Sequence, residues 1–439
     1  MKNKTFVNTH KIQTKFSQRS FLILALLFPL VLISCAKKSV VDHKEPDTVK
    51  VGPSPIGDVV GKLVVGYQGW FTCSGDNSPV NRWVHWGGNG NTPPSPGHQS
   101  FEIWPDTREF INTYQTGYAN LGNGDPAKLY SAYDDQVVNT HFKWMKEYGI
   151  DCAALQRFGS ELRDPVFKAQ RDGMLTKVKN AAEANNMKFY VMYDISGWAG
   201  FQQGIKTDWE ATITSVLSAT SSSAYAKQNG KPVVCIWGVG VSGRPGTPDT
   251  YVDVINWLKA KGCYVIVGTH NHWRTDSVNM NAYIAADMIS PWTVGSYRFD
   301  VEIDNYANEL ASDLAVCNKN GIDFQPVVFP GFAWSNWNRG LPNDFPRRHG
   351  DMMWRQFAQI RNKNITNAYV AMFDEFDEGT AIAKAAENPS MRPTDQYFLS
   401  LDADGVACSS DFYLRLTGDG AKMIKGITAL AWAHPTSHQ

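Results

Sequence analysis

Short apolar runs alternate with amphipathic stretches along most of the chain. Eight runs are predicted to be strands, because each is brief, almost unbroken in its apolar character and flanked by polar or turn-forming residues. They are residues 62–68, 150–156, 188–194, 232–237, 263–269, 286–292, 324–330 and 367–374. Strands without a polar face are typical of a parallel sheet that is covered on both sides.

The stretches between these runs have the spacing of amphipathic helices. Helices are predicted over residues 135–148, 165–186, 249–261, 303–320 and 348–363. Glycine follows several of them, as at Gly149 and Gly262, where a left-handed residue ends a helix at little cost. The alternation predicts a (β/α)8 TIM barrel in a single catalytic domain over residues 61–439. A doubly wound sheet is the alternative, but no GxGxxG follows the first strand.

One segment interrupts this alternation. Residues 71–133 are rich in Gly, Asn, Pro and Trp and show no helical pattern. A loop of this length inside a domain is usually functional. After the first strand of a barrel it would lie on the catalytic face. Residues 397–427, near the end of the chain, are predicted to form a closing strand or loop and a helix.

The N-terminus has the features of an export signal. A basic leader precedes the 13 apolar residues 21-FLILALLFPLVLI-33, too few to span a bilayer. The sequence 32-LISC-35 resembles a lipoprotein signal-peptidase box, which would make Cys35 the lipidated first residue of the mature protein. A plain signal peptide or a membrane anchor is the alternative. Residues 36–60 are predicted to be a flexible tether.

Composition excludes some partners and favours another. The 42 basic and 42 acidic residues give a net charge of zero, so no electrostatic argument supports nucleic-acid binding. The 15 Trp, 17 Tyr and 22 Phe suit a carbohydrate partner, because sugar rings stack on aromatic faces. We expect an exported monomer, at the periplasmic face or the cell surface, that contacts the membrane only through its lipid and uses no metal or cofactor.

Polar and aromatic residues follow the predicted strands. In a TIM barrel the carboxyl ends of the strands form the active-site face, so these residues should converge there. The predicted substrate-binding residues are Tyr67, Trp70, Asp194, Trp237, His270, His272, Trp292, Trp334, Asn336 and Asn338.

The last strand ends in 370-VAMFDEFDEGTAI-382, with four carboxylates in five positions. Glu375 and Glu378, spaced i, i+3 on a loop, can face one cleft, and their repulsion would raise the pKa of one of them. They are the predicted catalytic pair. The alternative is a solvated helix N-terminus over residues 379–387.

Three stretches, in two blocks, carry a family resemblance. The loop 375-EFDEGT-380 resembles the EWHEGT motif of glycoside hydrolase family 99, the endo-α-mannosidases and endo-α-mannanases. Upstream, 329-FPGFAWSNWN-338 and 346-PRRHGDMMWRQ-356 are similar to that family's GPGY…WN…NR…Y segment, in the same order. The early strands match only in pattern, and the layout is also similar to family 71 α-1,3-glucanases.

The resemblance implies a retaining, endo-acting glycoside hydrolase. Glu375 would be the base that acts on the sugar's own 2-hydroxyl, giving a 1,2-anhydro intermediate. Glu378 would be the general acid and then the base. The motif's Trp and His are Phe376 and Asp377 in this chain.

Two rival functions stay open on the residues alone. One is a glycan-binding lipoprotein that uses the same scaffold without catalysis. The other is a metal-dependent hydrolase that would use Asp374, Asp377 and the pair His270 and His272.

Overall fold

Eight parallel strands alternate with helices around one barrel. The computed structural model describes residues 53–87 and 89–439, all within one compact unit. The signal peptide, Cys35 and most of the predicted tether lie outside the described residues. The barrel strands are β1 Leu63–Tyr67, β2 Cys152–Phe158, β3 Lys188–Asp194, β4 Lys231–Trp237, β5 Tyr264–His270, β6 Met288–Trp292, β7 in two segments (Asp323–Phe324 and Val327–Val328) and β8 Ala368–Val370.

The divided seventh strand closes the ring. Asp323–Phe324 pairs with β6, and Val327–Val328 pairs with β8. Pro326 interrupts the ladder between them because it has no amide hydrogen to donate. Its carbonyl still accepts the N–H of Tyr369 at 2.9 Å. The sheet therefore runs from β1 through β7 to β8, which pairs with β1, and the predicted (β/α)8 barrel is confirmed.

Besides the single turn Ser335–Asn338, the helices are α1 Asp135–Glu147, α2 Pro165–Ala184, α3 Phe201–Thr207, α4 Pro248–Ala260, α5 Met280–Ala285, α6 Asp300–Asn320, α7 Asp351–Asn362 and α8 Phe412–Ile424. The helices α1, α2, α4, α6 and α7 match predicted helices, and α8 lies in the predicted closing segment, whereas α3 and α5 have no counterpart among the predictions. Asp164 caps α2 by accepting the N–H groups of Val166 and Phe167, and Gly321 ends α6 with a left-handed φ of 61°, which glycine adopts without strain. A wider helix continues α3 over Asp208–Val216.

The end of the predicted tether belongs to the barrel. Val59 is fully buried, and the N–H of Val60 donates to Gln228 Oε1 at 3.1 Å. The N–H of Ser54 donates to Asp323 Oδ1 at 2.8 Å. The tether prediction over 36–60 is therefore wrong for residues 54–60, because their apolar and backbone groups find partners on the barrel. In the described part of the chain, no helix combines the length and the apolar character that a membrane span requires.

Residues 71–133 form an aromatic layer above the strand ends. Their strand pairing is limited to the short hairpin of Tyr114–Gln115 with Lys128–Leu129 and isolated bridges, and no helix forms in the described part of the segment. Trp86 is fully buried and packs against Phe71 with ring centroids 4.1 Å apart. The N–H of Glu102 donates to the carbonyl of Phe376 at 2.8 Å. This layer is therefore attached to the loop after β8 and lies at the carboxyl-end face of the barrel.

Candidate active site

A cleft of about 330 Å³ opens at the carboxyl ends of the strands. Most of its wall comes from residues at or just after β1, β2, β3, β4, β6 and β8, as expected for a barrel active site. The lining residues are Gln68, Trp70, His85, Gln156, Phe158, Asp194, Ser196, Trp237, Arg244, Trp292, Trp337, Met372, Glu375, Asp377 and Glu378.

Asp374 joins the two strands that complete the barrel. Its carboxylate is fully buried and accepts the N–H of Gln68 at 2.7 Å and the N–H of Gly69 at 2.9 Å. Burial raises its pKa to about 7, and the two amide donors act in the opposite direction. Asp374 does not line the cleft; it fixes the loop after β8 to the loop after β1.

Glu375 and Glu378 both line the cleft, but their environments differ. Glu375 is buried and accepts hydrogen bonds from Gln68 Nε2 at 2.6 Å and from the N–H of Asp377 at 3.1 Å. Glu378 is half-buried, and its carbonyl, not its carboxyl, accepts the N–H of Ala333 at 3.0 Å. One carboxyl group therefore has two donors that favour its ionised form, and the other faces the cleft as a free acid or acceptor.

Burial raises the pKa of the carboxyl groups of Glu375, Asp377 and Glu378, and neighbouring charges add to this effect for two of them. Burial raises the pKa of Glu378 to about 7. Burial, followed by the charges of Glu378 and Asp374, raises the pKa of Glu375 well above its ordinary value. Burial also raises the pKa of Asp377, and the charges of Glu375 and Glu378 add to that effect. These carboxyl groups cannot all ionise together near neutral pH, so a proton remains available in the cleft.

Asp377 is paired with a histidine from the long segment. His85 Nδ1 lies 2.8 Å from Asp377 Oδ2, while Asp377 Oδ1 is buried without a partner in the described chain. Burial, and after it the charge of Arg171, lowers the pKa of His85 to about 3. The imidazole is therefore neutral at physiological pH.

Trp70 supports this histidine. Its ring stacks on His85 at 3.7 Å with an interplanar angle of 10°, and on Phe158 at 5.0 Å and 29°. The side chain also lines the cleft, and its indole N–H is buried without a hydrogen-bond partner among the described residues.

The opposite wall offers the aromatic surface. Trp237 and Trp292 meet edge to face at 5.3 Å and 76°, a geometry that leaves ring faces available for stacking. The guanidinium of Arg244 lies over Trp237 at 5.2 Å. Asp194 accepts the N–H of Ser196 at 2.7 Å, and its pKa is raised by burial, against the effect of Arg244.

Two buried ionisable side chains outside the cleft hold the loops after β7 and β8. Glu102, fully buried, accepts the hydroxyl of Ser335 at 2.8 Å and the N–H of Asn336 at 3.0 Å. Arg347 donates to the carbonyls of Gly379 at 2.8 Å and Ala381 at 2.7 Å. The loops after β7 and β8 are thus held to each other and to the aromatic layer. These contacts limit the movement of Glu375 and Glu378.

Several predicted site residues lie away from the cleft. Tyr67 is fully buried and contacts His141 Nδ1 through its hydroxyl at 3.1 Å. His270 interacts with Asp276 and Tyr283, and His272 is exposed. None of the three lines the cleft.

The loop after β7 differs from its prediction in detail. Asn336 donates to the carbonyls of Phe101 at 3.1 Å and Tyr397 at 2.8 Å, so its amide holds loops together. Trp334 packs against Trp337 at 6.0 Å, and Trp337, not Trp334, borders the cleft. The side chain of Asn338 lies outside the described residues.

Other cleft residues lie outside the predicted set. Gln68 and Gln156 end predicted strands and Trp337 follows one, so strand-end position points to them as well. His85 and Arg244 lie inside long loops, where strand-end position gives no signal. The sequence indicates Asp377 only as a metal ligand in a rival function.

No cluster suited to a metal is present among residues 53–87 and 89–439: no three His, Cys, Asp or Glu side chains have the required arrangement. The His270 and His272 pair does not join the carboxylates in the cleft wall. The six cysteines of the described chain are buried and unpaired.

Comparison with known proteins gives a structural match but no sequence match. No family model matches the chain, and no curated protein matches it in sequence. The family 99 endo-α-mannosidase from Bacteroides thetaiotaomicron has a similar structure, with a TM-score of 0.61 and 14% identity over 84% of this chain and 98% of that chain; its complex with Bis-Tris propane gives the same values. A glycoside hydrolase-like protein has a TM-score of 0.51 and 13% identity over 78% of this chain and 97% of that chain. The likeness confirms, for the fold, the resemblance that the sequence motifs carry.

The raised pKa of Glu378 predicts a stability change that depends on pH. A carboxyl group whose pKa is higher in the folded state stabilises the fold below its unfolded pKa and loses that contribution as pH rises through about 7. Glu378→Gln, which cannot ionise, should therefore be more stable than the wild type at pH 8 by roughly 1–3 kcal/mol. At pH 4.5 the difference should nearly vanish.

Urea unfolding at both pH values measures this difference. Glu147→Gln, at an exposed position in α1, is the matched control and should behave like the wild type at both. An equal effect of Glu378→Gln at pH 4.5 and pH 8 would contradict the assigned environment of Glu378.

Proposed function

We propose that this protein is an exported, lipid-anchored glycoside hydrolase that cleaves a polysaccharide or glycan, with Glu378 as general acid and base and Glu375 as the second catalytic carboxylate. The observation that carries the proposal is that Glu375 and Glu378 line one cleft, both with raised pKa values, opposite Trp237 and Trp292. The fold shared with a solved endo-α-mannosidase supports it.

The protonation states of the two carboxyl groups in the cleft suit glycosidic bond cleavage. Glu378, whose pKa is raised to about 7, can keep a proton at neutral pH and donate it to the leaving glycosidic oxygen. The ionisations of Glu375 and Glu378 are coupled, so loss of the first proton leaves one carboxylate and one acid in the cleft. The two hydrogen bonds that Glu375 accepts favour the charge on Glu375 and the proton on Glu378. After the leaving group departs, Glu378 as carboxylate can take a proton from the attacking water.

Glu375 can act in either of two retaining routes. In the first, its carboxylate attacks the anomeric carbon and forms a glycosyl-enzyme ester, which water then hydrolyses. In the second, which the EFDEGT motif favours by resemblance, it removes the proton from the sugar's 2-hydroxyl, and that oxygen attacks the anomeric carbon. Both routes require an ionised Glu375 and a protonated Glu378.

The cleft wall is suited to a ligand rich in hydroxyl groups. Trp237 and Trp292 offer apolar surface to the C–H face of a sugar, and Asp194 and Gln156 offer hydrogen-bonding groups beside them. Six cleft side chains carry a buried N or O atom without a hydrogen-bond partner in the described chain, and such groups mark sites for ordered water or ligand. They are Gln68, Trp70, Gln156, Trp237, Arg244 and Asp377.

Product formation from a panel of polysaccharides tests the proposal. Wild type and Glu378→Gln are incubated with α-mannans, α-glucans and plant-wall polysaccharides, and the products are separated by chromatography. Oligosaccharides should appear with the wild type and fall by about 100-fold or more with Glu378→Gln. A chelator should leave the wild-type rate unchanged, since the proposed chemistry needs no metal.

The other outcomes separate the rival functions. Equal product from both proteins would refute the assignment of Glu378. Retention on a polysaccharide without any product would favour the glycan-binding lipoprotein. Loss of activity with a chelator would favour the metal-dependent hydrolase.

The anchor is tested separately from the chemistry. With Cys35 as the lipidation site, the full chain expressed in a bacterial host that processes lipoproteins should fractionate with membranes, and Cys35→Ser should move it to the soluble fraction. Metabolic labelling with a fatty acid should mark only the wild type. Label retained on Cys35→Ser would show that the anchor lies elsewhere.

A further inference from the structure

The cleft contains a histidine that has no part in the reaction steps proposed for Glu375 and Glu378. His85 comes from the long 71–133 segment, yet it lines the cleft with Glu375 and Glu378. Its backbone has a φ of 65°, a left-handed conformation that few residues other than glycine adopt. Ser100 donates its hydroxyl to the carbonyl of His85, which helps to hold this conformation. A costly backbone geometry at a cleft wall is typical of residues with a functional role.

The ring of His85 is held on three sides. Trp70 stacks on one face at 3.7 Å, Phe71 meets the ring edge to face at 5.8 Å, and Asp377 binds Nδ1 at 2.8 Å. Trp70 is itself backed by Phe158. The imidazole therefore has one rotamer and one orientation before any ligand arrives, so little conformational entropy is lost when a ligand binds it.

The second nitrogen of this ring is free to contact a ligand. Within residues 53–87 and 89–439, Nε2 of His85 has no hydrogen-bond partner, and about 25% of the side chain is exposed. When Asp377 is ionised, Nδ1 carries the proton and Nε2 is an acceptor. When Asp377 is protonated, it donates to Nδ1, and Nε2 carries the hydrogen and donates. A sugar hydroxyl can serve either form, because it both donates and accepts.

We propose that His85 binds a hydroxyl group of the sugar held against Glu375 and Glu378, and that Asp377 is the positioning residue that fixes its ring. The assignment rests on the proposed function, since it takes the ligand of this cleft to be a saccharide. The contact gives the 71–133 segment a direct role in sugar specificity. The contact is made in the ground state and in the transition state alike, so its loss should raise KM more than it lowers kcat.

The test compares four variants on the polysaccharide from which the wild type releases products. His85→Asn keeps a residue that tolerates the left-handed backbone but removes the ring. It should raise KM about 5- to 10-fold, the effect of one hydrogen bond, and change kcat less than threefold. His349→Asn is the matched control, because His349 also has a left-handed φ, of 43°, and does not line the cleft; it should match the wild type.

Variants of Asp377 distinguish a role in positioning the His85 ring from simple packing. Asp377→Asn keeps an oxygen that accepts Nδ1–H, so it should keep KM within about twofold of the wild type. Asp377→Ala releases the ring and should raise KM as much as His85→Asn does. Unfolding temperatures of all four variants show that each is folded. In a Glu378→Gln background, affinity electrophoresis on the same polysaccharide measures binding without turnover.

Each outcome decides between the two proposals. Cleavage with wild-type KM in His85→Asn would overturn the role of His85 and leave the hydrolase intact. Retention without cleavage, weakened in His85→Asn, would overturn the hydrolase and keep His85 as a sugar contact. Neither cleavage nor retention of any panel polysaccharide would overturn both.

Discussion

The hydrogen bonds from the N–H groups of Gln68 and Gly69 to the Asp374 carboxylate are the contact on which this site depends. They join the end of β8 to the end of β1 at the top of the barrel. Because Asp374 is fixed, the next residue, Glu375, points into the cleft and receives the side chain of Gln68. The cost of burying this carboxylate is offset by two amide donors, which is the usual condition for a buried polar group.

The four carboxylates after β8 therefore have separate tasks. Asp374 holds two loops together, Glu375 and Glu378 face the cleft, and Asp377 binds His85. Arg347 fixes the far side of the loop through two backbone carbonyls. Placing four acids in one turn costs stability through burial and mutual repulsion. Burial, with repulsion added to it, also keeps protons on carboxyl groups of the cleft near neutral pH.

The barrel could be predicted from the sequence, because the alternation of short apolar runs with amphipathic stretches is visible in the sequence itself. Strand-end position also predicted residues of the cleft, since Trp237, Trp292 and the Glu pair line it. It did not work for Tyr67, because neighbouring residues of a strand point to opposite sides of the sheet and strand position alone does not say which side. His85 reaches the cleft through a left-handed turn and an aromatic layer, and no local pattern encodes that long-range packing.

Whether Glu378 holds a proton in an acidic cleft can be measured through the pH dependence of kcat/KM on a polysaccharide that is cleaved. We expect a bell-shaped profile whose alkaline limb falls near pH 7, as the free enzyme loses the proton of a carboxyl with a pKa of about 7. The acid limb follows the first ionisation of the coupled pair Glu375 and Glu378. A rate that stays constant from pH 6 to pH 9 would show that another group is the proton donor.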